Sequence, residues 1–315
     1  MSRSLKKVAV VGAGVIGTGW VIRCLAHNKK VAVYDKDLKL KKKLISEIKR
    51  TWPYVKKLFN KKKINFKNFK YFTSIKECLS EADFIQECAT ENYTLKTKLM
   101  GIIGKYAKHN AIIASSSSGL LPTRIYSKCA NPARTMIGHP FNPVYMCPGV
   151  EIVPGKKTKK NFINKANKFY KSISMNPIMV KKELPGYLAD RLQEALWREA
   201  LHIVNEGYAS TKDLDRAIED GPGLRWSLMG IFLTYHLAGG KKGMKHMLEQ
   251  FGPALKLPWT KLKAPKLSKK LSSRVITGTR QQAKGKSVAM IANIRDEYLV
   301  NLQKLRKKYE NKIRN

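Results

Sequence analysis

Apolar runs and segments of helical periodicity alternate along the first half of the chain. Lys7–Val11 (KVAVV) is a continuous apolar stretch, as expected of a strand buried on both faces, and an apolar helix follows to about His27. A second strand, Lys30–Tyr34, leads into a long basic helix over Leu38–Lys62. The pattern continues with a short strand at Lys70–Thr73, a buried strand at Asp83–Glu87, a helix over Asn92–Tyr106 and a strand at Ala111–Ala114. Arg134–Ile137 and Val150–Val153 read as short strands joined by a stretch that folds back. A lysine-rich helix (Lys159–Ser174) and a strand (Pro177–Val180) close the pattern. Strands alternating with helices predict a doubly wound parallel sheet. Leu184-Pro185-Gly186 marks a hinge, and everything beyond it reads as helix.

The turn after the first strand is Gly12-Ala13-Gly14-Val15-Ile16-Gly17, set between a strand and a helix and followed by a second strand ending in Asp35. That context makes the glycine spacing a dinucleotide-binding signature rather than a chance match. Gly12 permits the tight turn, Gly14 lets the backbone approach a pyrophosphate, and Gly17 lets helix and strand pack closely. Val15 and Ile16 open the helix, whose free N–H groups and positive dipole end suit the phosphates. Asp35 is placed to accept from both ribose hydroxyls and to repel a 2′-phosphate, which selects NAD over NADP in spite of Lys36 next to it. The expected architecture is α/β: a Rossmann-type doubly wound sheet over residues 1–183, then an all-helical domain over residues 184–315.

Ligands of such sheets collect at the carboxyl ends of strands, where two polar clusters fall. One is Glu91-Asn92 with Lys96 a turn further on; the other is Ser115-Ser116-Ser117-Ser118. The serines fit an N-cap and loop, or contacts to substrate and nicotinamide, and four hydroxyls at one strand end favour the second. The stretch GHPFNPVYMCPGVE (138–151) offers an imidazole, His139, and a carboxylate, Glu151, that the returning strand would bring to it. A histidine held by a carboxylate can take a proton from an alcohol near neutral pH. These two residues alone are equally compatible with a satisfied loop histidine beside an exposed glutamate. In the helix predicted over Tyr187–Asn205, positions 190, 194, 197 and 201 share a face, which puts Asp190 and Glu194 beside Trp197 and Leu201. A surface ion-pair network would also produce that pattern.

Charge is the one anomaly. The 315 residues include 62 Lys and Arg against 22 Asp and Glu, a formal net charge of +40. Clustered lysine would point to a polyanion partner. Here the lysines are spread over nearly every surface helix, so no specific nucleic-acid site is expected. The chain lacks an apolar run that could span a membrane, and its beginning carries no secretory pattern. Cys24, Cys78, Cys88, Cys129 and Cys147 are odd in number and form no CxxC, which indicates reduced thiols in a cytoplasm and no metal site.

GAGVIG, Asp35, Glu91-Asn92, SSSSGL, GHPFNP, Glu151 and PGYLADRL together resemble the 3-hydroxyacyl-CoA dehydrogenase superfamily over essentially the whole chain. In the second half, GPGLRWSLMG (221–230), TYHLAGGKKGMKHMLEQFGPALK (234–256) and PWTKL (258–262) resemble its carnitine 3-dehydrogenase branch. The resemblance implies NAD-dependent oxidation of the 3-hydroxyl of L-carnitine by a homodimer, with helices of the 187–256 region and the Asn293–Lys308 segment as the dimer surfaces. It makes His139 the general base, Glu151 the carboxylate that orients it and Ser118 the hydroxyl on the substrate oxygen. Gly12, Gly14, Gly17 and Asp35 bind the adenosine and pyrophosphate half. Glu91 and Lys96 lie near the nicotinamide ribose, and Ser116 falls where the superfamily often has asparagine. The superfamily's asparagine early in the second domain is Asp190 here. That departure suits a trimethylammonium group, which is held by negative charge and aromatic faces rather than by hydrogen bonds. Asp190 would supply the charge and Phe141, Tyr145, Trp197 and Trp226 the walls, while Arg225 would pair with the substrate carboxylate. A 3-hydroxyacyl-CoA substrate would want a basic groove, and an L-gulonate 3-dehydrogenase polyol-binding groups with no cation site. A basic nucleic-acid-binding or structural protein on the same scaffold would have no use for Ser118, His139 and Glu151 together.

Overall fold

The computed structural model describes residues 5–61, 63–227, 230–239, 241, 243–251, 253, 260 and 268–314. The chain forms two compact units, Met1–Arg191 and Leu192–Asn315. The motif stretches 221–230, 234–256 and 258–262 each include positions outside the described residues.

The first unit carries one eight-stranded sheet. Its strands are β1 (Lys7–Val11), β2 (Lys30–Tyr34), β3 (Phe69–Phe72), β4 (Phe84–Glu87), β5 (Ile112–Ser115), β6 (Thr135–Pro140), β7 (Gly149–Pro154) and β8 (Asn176–Met179). Spatial order is β3-β2-β1-β4-β5-β6-β7-β8, and every neighbouring pair is parallel except β6 with β7. The helices of this unit are α1 (Val15–Ala26), α2 (Leu38–Phe59), α3 (Ile75–Leu79), α4 (Tyr93–Tyr106), α5 (Pro122–Ile125) and α6 (Lys160–Ser172). Continuous apolar strands require cover on both faces, and they have it. Ala9, Val11, Ile85, Ile113, Ile137 and Val153 form one buried face with Cys78, Leu79, Met100, Ile103 and Ile125 of α3, α4 and α5. The alternate residues Val8, Val10, Phe84, Ile112, Met136 and Ile152 are buried as well. Phe84 stacks on Phe169 of α6 at 3.9 Å between ring centroids.

Two local constraints fix the ends of strands where ligands would sit. Gly12 has φ +105°, and a Cβ at Gly17 would stand 1.9 Å from the Gly12 carbonyl oxygen, so the β1–α1 turn closes only because both are glycine. On the same helix Arg23 is fully buried. Its guanidinium donates to the carbonyls of Val144 (2.7 Å), Cys147 (2.9 Å), Ile173 (3.1 Å) and Ser174 (2.9 Å). One side chain thereby ties the β6–β7 connection, which contains the cis Asn142–Pro143 peptide, to α1 and to the end of α6.

The helix α7 (Ala189–Glu206) begins in the first unit, which runs to Arg191. The reason is local. Tyr187 is buried with its hydroxyl on the Leu120 carbonyl at 2.7 Å, and the backbone N–H groups of Leu188 and Ala189 are also held by the first unit. The second unit continues with α8 (Thr211–Glu219), α9 (Pro222–Trp226), α10 (Ile231–Ala238), α11 (Gly243–Phe251), α12 (Lys269–Ala283) and α13 (Val288–Arg314), and is helical throughout its described residues. Arg274 of α12 donates to the carbonyls of Val204 (3.1 Å) and Asn205 (2.8 Å), satisfying the end of α7. Among the described residues no helix is long and apolar enough to cross a membrane.

A methyl group at position 17 has backbone, not a flexible side chain, in its way. Gly17→Ala should therefore destabilise the protein by about 1–3 kcal/mol, read as a Tm several degrees lower in thermal unfolding. An unchanged Tm would show that the turn can open without cost.

Candidate active site

Strand pairing sets the central pair. β6 and β7 run antiparallel with His139 directly opposite Glu151 in the register, so both side chains leave the same face of the sheet. His139 Nδ1 lies 2.8 Å from Glu151 Oε2, and both residues are buried. A carboxylate only accepts, so Nδ1 carries the proton and donates it, which leaves Nε2 as the basic nitrogen. The second oxygen of Glu151 accepts from the backbone N–H groups of Leu188 (2.9 Å) and Ala189 (3.1 Å), at the entry to α7. Burial alone would push the Glu151 carboxyl up. The hydrogen bonds from His139, Ala189 and Leu188 outweigh it and hold the group below the ordinary carboxylate range.

The residue after Ala189 is Asp190, and its Oδ2 lies 3.7 Å from His139 Nε2. The imidazole thus has a carboxylate on each side, one hydrogen-bonded to Nδ1 and one near Nε2. Two rings flank it: Phe141, edge-on at 5.5 Å, and Tyr187, tilted at 5.6 Å. Tyr187 adopts φ +44° directly after Gly186 at φ +69°, which turns the chain sharply enough to lay this ring beside the histidine. Burial pushes its phenol far up, so it stays protonated and donates to Leu120.

The serine loop leaves β5, the parallel neighbour of β6, with Ser115 opposite Ile137. Ser118 therefore emerges past the end of β5 at the edge where β6 carries His139 as its penultimate residue, and it is exposed. Glu91 holds this loop. Its Oε1 accepts from Ser117 Oγ (2.5 Å), Ser118 N (3.0 Å) and Gly119 N (3.3 Å). Below it, Glu87 is fully buried and accepts from Lys96 Nζ (2.9 and 3.1 Å), Ser115 Oγ (2.5 Å) and Ala89 N (2.6 Å).

At the nucleotide end, a Cβ built on Gly14 would meet nothing within 4 Å, so the space above the first turn of α1 is open for a pyrophosphate. Asp35, at the end of β2, accepts from Ala13 N at 2.9 Å and from Asp37 N at 3.1 Å. The carboxylate is thus fixed beside the glycine turn, as a ribose-binding acid requires. These residues fit NAD. Among the described residues no group of three or more His, Cys, Asp or Glu is placed to hold a metal ion.

Several sequence expectations need correction. Tyr145 is no wall of this site: it is buried, and its hydroxyl accepts from Arg50 of α2 at 3.3 Å. Ser116 is occupied internally, because its Oγ accepts from Trp20 Nε1 (3.0 Å) and Gln86 Nε2 (2.8 Å). Lys96 faces inward; it is buried, and its ammonium is held by Glu87 and by the Ala89 carbonyl at 2.9 Å, which makes it a support of the strand end rather than a free donor. Glu91 is committed to the serine loop, with Lys96 Nζ 3.6 Å from its other oxygen. Trp197 and Trp226 are exposed and, with Arg225, belong to the second unit. Glu194 lies 3.6 Å from Arg198, one turn on, as the ion-pair reading anticipated. Sequence reasoning missed Glu87 and Tyr187, and named Ser117 only as a member of the serine cluster. Of the two missed, only Tyr187 carried a signal, its place directly after Pro185-Gly186.

Alanine suits the backbone at Gly14 (φ −68°, ψ −169°). Gly14→Ala should thus leave the Tm unchanged while weakening NAD binding at least about tenfold, measured by titrating the protein with cofactor. Unaltered affinity would place the pyrophosphate elsewhere. Glu151 supplies a second expectation. Its folded-state value lies below its unfolded one, so its contribution to stability is complete above the ordinary carboxylate pKa of about 4.3 and is lost as pH falls through the lower folded value. Urea unfolding of wild type and Glu151→Gln should show a stability gap near neutrality that narrows in acid, whereas a gap independent of pH would mean the charge contributes nothing.

Comparison with known proteins bears on the family and the fold. Residues 7–184 match the family model for the 3-hydroxyacyl-CoA dehydrogenase NAD binding domain, and residues 186–278 match the model for the C-terminal domain of the same family. The L-carnitine dehydrogenase of Oceanobacillus iheyensis is 48% identical over 298 residues, covering 95% of this chain and 97% of that protein. The L-carnitine dehydrogenase of Pseudomonas putida is 48% identical over 296 residues, covering 94% of this chain and 92% of that one. A solved NAD-dependent dismutase, 5-formyl-3-hydroxy-2-methylpyridine 4-carboxylic acid 5-dehydrogenase, superposes with a TM-score of 0.80 over 96% of this chain and 99% of its own. At 20% identity that likeness concerns the fold alone. The chain belongs to the 3-hydroxyacyl-CoA dehydrogenase family.

Proposed function

We propose that this protein oxidises the 3-hydroxyl of L-carnitine to 3-dehydrocarnitine, using NAD. The observation that carries the reading is the carboxylate of Asp190, 3.7 Å from the nitrogen that must receive the hydroxyl proton. In carnitine the hydroxyl and the quaternary nitrogen sit on adjacent carbons. A substrate whose hydroxyl reaches His139 Nε2 therefore carries its permanent cation within a few ångströms of Asp190, where a negative charge and the Phe141 ring suit it. The names and identity levels of the bacterial relatives support the same substrate.

NAD, when bound on the Gly12–Gly17 turn with its adenosine ribose at Asp35, supplies the hydride acceptor. His139 takes the hydroxyl proton at Nε2. The imidazolium so formed is stabilised through Nδ1–H by Glu151, which also fixes the ring's orientation. Ser118 donates to the substrate oxygen as it becomes a carbonyl, in a loop that Glu91 keeps in place. Tyr187 and Phe141 exclude water from the ring. Trp197, Trp226 and Arg225 have no part in this proposal. The family resemblance supports a homodimer, and the free thiols of Cys24, Cys78, Cys88, Cys129 and Cys147 support a reducing cytoplasm.

The test is NADH formation by the purified protein with L-carnitine, D-carnitine, L-gulonate and a 3-hydroxyacyl-CoA in parallel. Turnover is expected with L-carnitine alone. Turnover of gulonate or the acyl-CoA without carnitine would keep the His139–Glu151 chemistry and discard the cation site.

A further inference from the structure

Resting on the carnitine reading, we infer that Asp190 acts in the chemical step as well as in binding: its carboxylate separates the substrate's fixed cation from the imidazolium that forms on His139. During oxidation the C3–H bond breaks with its electron pair going to the nicotinamide. The O–H bond breaks with its proton going to Nε2, and the C3–O bond becomes a carbonyl. The net result is that one positive charge leaves the nicotinamide and one appears on His139. Carnitine keeps its trimethylammonium group throughout, on the carbon next to the one that reacts. Two like charges a few ångströms apart in a site where His139 is buried oppose the proton transfer directly.

Glu151 cannot offset that repulsion alone, because it approaches the ring at Nδ1, on the side away from the substrate oxygen. Asp190 approaches at Nε2. Its position is not incidental. The Glu151 oxygen that is not on His139 accepts from Leu188 N and Ala189 N, the two residues just before Asp190, so one carboxylate orients the imidazole and places the other carboxylate against it. A residue that only bound the cation would lower KM. A residue between two cations lowers the barrier too, because its interaction with the imidazolium exists in the transition state and not in the ground state.

The experiment compares wild type and Asp190→Asn, which have equal side-chain volume, with two substrates at saturating NAD. One is L-carnitine. The other is its neutral isostere, 3-hydroxy-5,5-dimethylhexanoate, in which a tert-butyl group replaces trimethylammonium. Tm and NAD affinity confirm that the variant is folded. With L-carnitine, Asp190→Asn should raise KM and also slow single-turnover hydride transfer at saturating substrate by at least about tenfold. With the isostere, which brings no second cation, the variant should again slow hydride transfer, because the imidazolium on His139 forms with either substrate, but KM should not rise. A rise in KM at constant hydride-transfer rate would reduce Asp190 to a binding group and overturn the inference. So would a rise in KM for the isostere equal to that for L-carnitine, which would mark a residue that merely positions groups in the site, or an unchanged rate of hydride transfer with the isostere. Wild type inactive on L-carnitine would instead sink the substrate reading on which the inference rests.

Discussion

Glu151 is the residue on which the site depends, because it uses both carboxylate oxygens and uses them on different parts of the molecule. One oxygen fixes the tautomer and direction of His139; the other holds the backbone at the entry to α7 and so places Asp190. This is possible only because β7 runs antiparallel to β6 in an otherwise parallel sheet. A parallel return would have needed a crossover, and the carboxylate and the imidazole would not have shared a register position. The buried acid is tolerated because its two oxygens accept from His139 Nδ1, Leu188 N and Ala189 N.

A second carboxylate system supports the neighbouring strand ends. Glu87 and Lys96 form a buried ion pair. Pairs of this kind seldom add net stability, since the cost of removing both charges from water offsets their attraction. Their value here is geometric. Glu87 gathers donors from β5, from the β4–α4 loop and from α4, while Glu91 clamps the backbone of Ser118 and Gly119. The serine loop is therefore positioned by hydrogen bonds to fixed acids. Ser118 is thus exposed on a backbone that is already fixed.

The scaffold distributes these roles in a way its charge does not reveal. With 62 basic residues and 22 acidic ones, acids are the scarcer resource, yet Glu87, Glu91, Asp35 and Asp190 sit at strand ends or a helix start around the candidate site, with Glu151 within β7 beside them. An enzyme handling a permanent cation inside a strongly basic protein needs that local concentration of negative charge more than a neutral protein would.

The sequence by itself determined the βαβ unit, the tight turn that Gly12 and Gly17 permit, the place of Asp35 and the return of β7 to β6. Those features are local. Glycine sterics, apolar runs and strand spacing act over a few residues and leave their mark directly in the pattern. The extent of β6 was underread only because His139 and Pro140 do not look like strand residues. What only the tertiary structure decided is where side chains in the connections point. Phe141 and Tyr145 are neighbours in one loop, equally aromatic, yet one ring faces His139 and the other hydroxyl meets Arg50 of α2. The choice is made by Arg23, which pulls the carbonyls of Val144 and Cys147 toward α1. Lys96, Glu91 and Ser116 were likewise matched to a ligand from their position at strand ends, and each proved to have a protein partner distant in sequence or supplied by a neighbouring strand. A side chain's partner is set by the summed packing of elements far apart along the chain, and no local pattern records it.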